Sequence, residues 1–338
     1  MTKQSDFLKG AVAATGMALL ILDSKTALLG AKKGLELCIQ TVIPSLFPFF
    51  ILSILLTGVM MGRTMRILHP LSRLFQIPKG AEMLLVCGML GGYPVGAQCI
   101  SQAYEQGYLN HQDARRMIAF CSNCGPAFLF GMIGGIFDEI WIPWALWAIH
   151  LISAWITSLV LPAGNPRGVS IKNDISLTVQ QALNKALRIM ASVCGWVIVF
   201  RIAIEFLHSW FLWMLPIEVQ VAVCGILELS NGCIELRHIE DIGLRFMMCA
   251  GFLGFGGLCV TMQTYSVISA KLDHGLYFPG KLLQCCVSLL LASLVAAILP
   301  SGEKNAAFMV LPCLLGLGCA IILRKIQKNS SIRTVVRV

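Results

Sequence analysis

Charge is what this chain has least of. Of its 338 residues only 13% are Asp, Glu, Lys or Arg while 57% are apolar, and the mean hydropathy is +0.78. A soluble domain carries about 25% charged and about 45–50% apolar residues. A water-soluble fold is excluded, because the surplus apolar surface would have nowhere to go. Catalytic signatures are missing too: there is no H-E-x-x-H, no G-x-S-x-G, no P-loop and no pair of aspartates within an apolar run. No enzyme activity or catalytic residue is expected, and any use of ATP would have to come through a partner. The net charge of +9 is not gathered into a basic extramembrane domain, so it excludes nucleic acid as a partner and reads as membrane topology. Among fourteen cysteines, Cys121 and Cys124 form a C-x-x-C that lacks a second such pair or a histidine pair. The rest fall mostly singly in apolar runs, where cysteine acts as a small hydrophobe. Neither a metal nor another cofactor is expected.

What the chain has instead is membrane-length apolar sequence. Crossing the hydrocarbon core takes roughly 20 apolar residues in a helix. Uninterrupted candidates are Phe7–Leu22, Val42–Met61, Ile140–Leu161, Leu187–Leu207, Phe211–Leu229, Phe278–Leu299 and Ala306–Leu323. The fold class expected is an all-α polytopic membrane protein, with residues 1–338 forming a single integral membrane domain. The first segment follows Lys3 and Lys9 but ends at Leu22-Asp23-Ser24, which does not offer the small residues of a signal cleavage site, so it reads as a retained helix. Arg63, Arg66, Arg73 and Lys79 share one short loop, and the tail, residues 324–338, is basic. Both are expected in the cytoplasm.

Three further apolar stretches, Met83–Tyr104, Ala114–Phe137 and Leu244–Ala270, are interrupted. The first contains "GGYPVGAQ" (91–98), with three glycines and a proline at membrane depth. A backbone that is not helical survives in hydrocarbon only where protein buries it or water reaches it. Pro94 lacks an amide and disfavours helix at Tyr93, while Gly91, Gly92 and Gly96 allow a tight turn, which predicts the tip of a re-entrant hairpin. "ARRMIAFCSNCGPAFLFG" (114–131) aligns with "LRFMMCAGFLGFGGLCVT" (244–261), and "GGYPVGA" (91–97) with "LELSNGC" (227–233). Identity is slight. The shared order, a break, a polar loop, an arginine-led helix and a second break, predicts two repeats, 26–162 and 177–299, each with a re-entrant hairpin and a broken helix.

Paired interruptions in duplicated halves point to a transporter's midplane site. The candidate substrate-binding residues are Gly92, Tyr93, Pro94, Gly96 and Gln98 at the first break and Ser122, Asn123 and Pro126 at the second. In the other half they are Glu228, Ser230, Asn231, Gly256, Gly257 and Gln263. Half-helices starting after Pro94 and at Pro126 would turn free amides and a positive dipole end toward an anion. Glu228, an acid between two leucines, is a functional candidate by default, with a solvated interface as its plainer explanation. Gly131, Gly134 and Gly135 read as helix-packing glycines, Arg116 as solvated, and Trp141, Trp144 and Trp147 as an interfacial belt.

These blocks, "GGYPVGAQ", "FCSNCGP", "LELSNG" and "GFGGLCVTMQ", resemble the Gate-domain, or nucleoside-recognition, membrane proteins, and among them the sporulation integral membrane proteins of YlbJ type. The resemblance runs from about Ile43 to Val295 and departs at Gly254 and Cys259, where serines are usual. It implies a fold similar to concentrative nucleoside transporters, a bacterial cell membrane or mother-cell-derived forespore membrane, and movement of dipicolinic acid during sporulation. A planar dianion would suit two opposed half-helix N-termini. The alternatives it leaves open are a nucleoside transporter and a non-transporting protein of spore maturation or membrane-complex assembly. Expected partners are the lipid bilayer, a small-molecule solute and, optionally, further copies of the chain in a homo-oligomer.

Overall fold

The structure, a computed structural model, describes residues 2–60, 65–162 and 178–297. Arg63, Cys313, Cys319, the Ala306–Leu323 segment and the tail 324–338 lie outside the described residues. Within them every regular element is helical and no strand forms. Apolar runs of this length have no other way to satisfy their backbone in lipid.

The α-helices are α1 (Thr2–Leu22), α2 (Ser24–Leu37), α3 (Ile43–Met60), α4 (His69–Leu74), α5 (Glu82–Leu90), α6 (Val95–Glu105), α7 (His111–Cys121) and α8 (Pro126–Gly131). There follow α9 (Trp141–Val160), α10 (Val179–Trp210), α11 (Ile217–Leu227), α12 (Leu229–Glu235), α13 (Ile242–Phe255), α14 (Gly257–Val267) and α15 (Tyr277–Ala296). Among the described residues five stretches are long and apolar enough to cross a membrane: Ser24–Met60, Trp141–Val160, Val179–Trp210, Ile242–Val267 and Tyr277–Ala296.

The first of these is longer than the apolar run beginning at Val42, because a π-helical turn, Cys38–Val42, carries α2 directly into α3. Gly30 and Gly34 of α2 face Ile202 and Ile198 of α10 so closely that a side chain would strike that helix's backbone. The expected span Phe211–Leu229 is corrected: α11 has 11 residues, about 16 Å of rise, half of what a crossing needs. Hydrophobicity alone had joined the turn at 211–216 to a helix that stops at Glu228.

Two short helix pairs cross at glycine. A side chain on Gly96 of α6 would meet the Cys121 carbonyl and the Gly88 backbone of α5. Across the next pair, one on Gly232 of α12 would meet the Gly225 backbone of α11. The end of α6 and the start of α7, with the loop between them, meet the segment that follows α14, where the Ser269 amide donates to Ser101 Oγ at 2.7 Å and Arg115 pairs with Asp273 at 2.9 Å. The loop after α12 meets the end of α8 instead: Arg237 donates to Gly135 O at 3.4 Å, and Arg245 of α13 to Ile136 O at 3.4 Å. The whole Ile242–Val267 stretch separates these two contact zones.

Two local expectations are overturned here. Arg116 is not solvated but 1% exposed, its guanidinium donating to the carbonyls of Gln76 at 2.8 Å, Phe75 at 3.1 Å and Ser158 at 2.6 Å. The stretch around Phe75 and the end of α9 fold over it, which the polar segment "EQGYLNHQDARR" alone could not reveal. Gly131 is no packing glycine, since a side chain there would meet open space, and Gly134 and Gly135 are nearly as free.

Candidate functional site

Four interruptions in the helices come together. Glycines at positive φ make two of the turns: Gly92 (φ 81°) at the first tip, and Gly256 with Gly257 (φ 82° and 83°) between α13 and α14. Such backbone is strained for any residue with a Cβ. The first tip lies against the α7–α8 break, with Gly125 abutting the Gly92 backbone. Gly257 lies against the α11–α12 break, close to the carbonyls of Gly225 and Ile226. Tyr93 joins the two sides. Its ring edge lies against Gly256, and its hydroxyl donates to the Leu253 carbonyl at 3.1 Å.

The breaks line a small, half-open cavity of about 40 Å³, room for a few waters. Four of the predicted residues line it, Tyr93, Glu228, Ser230 and Gln263, together with Ser45 and Leu46 of α3, Phe128 of α8 and Val193 and Val197 of α10. Glu228 is buried and caps α12. Its carboxylate accepts from the Ser230 amide at 3.1 Å, the Asn231 amide at 2.7 Å and Asn231 Nδ2 at 2.6 Å. The first amides of α12 are therefore taken by the chain's own carboxylate and not offered to a solute anion. Asn231 passes the contact outward. Its Oδ1 accepts from Arg201 at 2.8 Å, Arg201 donates to Glu205 at 3.0 Å, and Glu205 pairs with Lys33 at 2.8 Å.

Behind Tyr93 stands a residue that the sequence reading passed over. Lys281 of α15 is 0% exposed. Its Nζ donates to Gln284 Oε1 at 2.7 Å, Tyr93 Oη at 3.3 Å, Asn123 Oδ1 at 3.4 Å and the Ser122 carbonyl, and lies 4.9 Å from the Tyr93 ring centre. Ser122 ends α7, so the amine sits at the negative end of that helix dipole. Asn123 Nδ2 donates to the Phe120 carbonyl at 2.7 Å, Gln284 Nε2 donates to Asn123 Oδ1 at 3.0 Å, and the Cys124 amide donates to His150 Nε2 at 3.0 Å. Lys281 and Arg201 are cations inside runs treated as uninterrupted, and the rule that marked Glu228 would have marked both.

The remaining predicted residues divide. Pro94 precedes the first turn of α6, through a cis Tyr93–Pro94 peptide, and Pro126 opens α8. Gly96 packs against the Cys121 carbonyl, away from the cavity lining. Gln98 lines a different space, a cleft of about 300 Å³ shared with Lys185, Arg188 and Ser266. Gly254, where the resemblance expects serine, abuts Ser288 and the α15 backbone, leaving no room for a hydroxymethyl group. Cys259 is buried and accepts from Gln263 Nε2 at 3.2 Å.

The chain is similar to a sporulation integral membrane protein. That relative is YlbJ of Bacillus subtilis (strain 168), 23% identical over 314 residues, covering 79% of this chain and 77% of the relative. The likeness agrees with the YlbJ-type resemblance carried by the break motifs. No protein-family model matches the chain. No solved structure matches it.

Proposed function

We propose that the chain is a transporter that moves a small anionic or aromatic solute across the bacterial membrane at the meeting point of its four breaks. The observation that carries this reading is the small, half-open cavity lined by Tyr93 from one half and Glu228, Ser230 and Gln263 from the other. Irregular backbone at this depth is expensive unless it serves a site. The element order supports a duplication of Gate-domain type: a long helix, a glycine-crossed pair, a second broken helix and a closing helix occur first as α2–α3 to α9 and again as α10 to α15. The contacts of the two loops with opposite ends of Ile242–Val267 support an inverted arrangement, with re-entrant hairpins entering from opposite faces, as in concentrative nucleoside transporters.

The lining gives the solute its character. Tyr93, Phe128 and six valine or leucine neighbours, Val42, Leu46, Val193, Val197, Leu229 and Val260, suit a flat ring. An anion beside Glu228 would be repelled unless a proton or small cation came with it, which makes Glu228 the coupling residue. In a sporulating cell dipicolinate fits this description. At about 40 Å³ the cavity holds no such solute until the halves part, and that closure favours the second reading, a non-transporting protein of spore-membrane assembly.

Purified protein in liposomes decides between them. Saturable uptake of labelled dipicolinate, a nucleoside or another dicarboxylate, lost in Tyr93→Ala, is the expected result. No uptake of any of the three, with binding to other membrane proteins retained, would favour assembly.

A further inference from the structure

Hydrogen bonding around Lys281 is one-sided. Asn123 Nδ2 and Gln284 Nε2 are committed to carbonyl-type acceptors, so the Asn123 and Gln284 oxygens must face the lysine. The Ser122 carbonyl can only accept. Tyr93 has one hydroxyl proton and gives it to Leu253, so its oxygen also faces Nζ as an acceptor. Four acceptors and no donor surround the nitrogen; an ammonium offers them three N–H groups, a neutral amine only two and a lone pair with nothing to accept from, so the shell favours the charged form. Neutral oxygens at a helix C-terminus, backed by an aromatic face, are what a small hard cation seeks once stripped of water.

We propose that Ser122 O, Asn123 Oδ1, Gln284 Oε1 and Tyr93 Oη form a monovalent-cation site that the chain fills itself with the Lys281 ammonium. An alkali cation enters only when that amine is removed. The cage ties α15 to both breaks of the first half. This inference does not depend on transport, because its readout is stability.

The test is the melting temperature of Lys281→Ala in detergent, in choline, sodium and potassium chloride at matched ionic strength, beside the unaltered chain. The variant is expected to melt low in choline and to gain roughly 5–10 °C, saturably, in sodium or potassium. The unaltered chain should gain much less. Lys281→Gln keeps two N–H donors and most of the volume, and should show the same effect more weakly. A Lys281→Ala gain no larger than that of the unaltered chain overturns the proposal. So does failure of both variants to fold in every salt, since a cage able to take an alkali cation would be filled at high salt.

Discussion

At Tyr93 the chain breaks beside a cation, and at Glu228 it breaks beside an anion. The partners of the first tip are remote in sequence: Lys281 and Leu253 belong to helices more than 150 residues downstream. Those of the second tip are local, Glu228 being satisfied by Ser230 and Asn231 within three residues. Both devices solve the problem of broken backbone in a low-dielectric interior. They differ in what they hold: the first pins the α5–α6 turn to α13 and α15, whereas the second closes on itself and reaches outward through Asn231 to Arg201.

The comparison is sharpened by variants that strike each device. Lys281→Met, with choline as the only cation, takes the lysine donor from the Ser122 carbonyl and Gln284 Oε1 in the interior and is expected to cost about 2–5 kcal/mol, read from thermal or chemical unfolding. A loss under 1 kcal/mol would mean the first tip is held by packing alone. Gly96→Val should follow at about 1–3 kcal/mol, because its side chain must displace the Cys121 carbonyl. Glu228→Gln retains one acceptor for three donors and should cost roughly 1–3 kcal/mol. Its sharper readout is functional: liposome uptake should persist but lose its dependence on pH or sodium, and unchanged dependence would remove Glu228 from the coupling role. Gly131→Ala should change stability by no more than about 0.5 kcal/mol, since nothing stands within 4 Å of the added carbon.

Much of the architecture was legible because membrane-length runs and their interruptions are local signals. "GGYPVGAQ", "SNCGP" and the Gly256-Gly257 pair all mark real breaks. Phe211–Leu229 was misread since hydrophobicity does not register a turn flanked by apolar residues on both sides. Lys281 escaped for a related reason, one cation being averaged away within a run that still reaches a hydropathy of 1.7. Arg116 and the glycine crossings could not be read at all. Which carbonyl faces a guanidinium, or which backbone a glycine touches, is decided by elements far away in sequence. The site followed the same division: Tyr93, Glu228, Ser230 and Gln263 line one cavity, while Gln98 and Gly96 share their segment but point to other surroundings.

The account rests most heavily on the two hairpins entering from opposite faces of the membrane and meeting at their tips. Glu105, the last residue of α6, and Glu240, between α12 and α13, are both exposed. Each can be replaced by cysteine in a chain whose native cysteines have been removed, then labelled with a membrane-impermeant maleimide in right-side-out and inverted vesicles. The account predicts that Glu105→Cys reacts in one vesicle orientation and Glu240→Cys in the other. Labelling of both from the same face would contradict it.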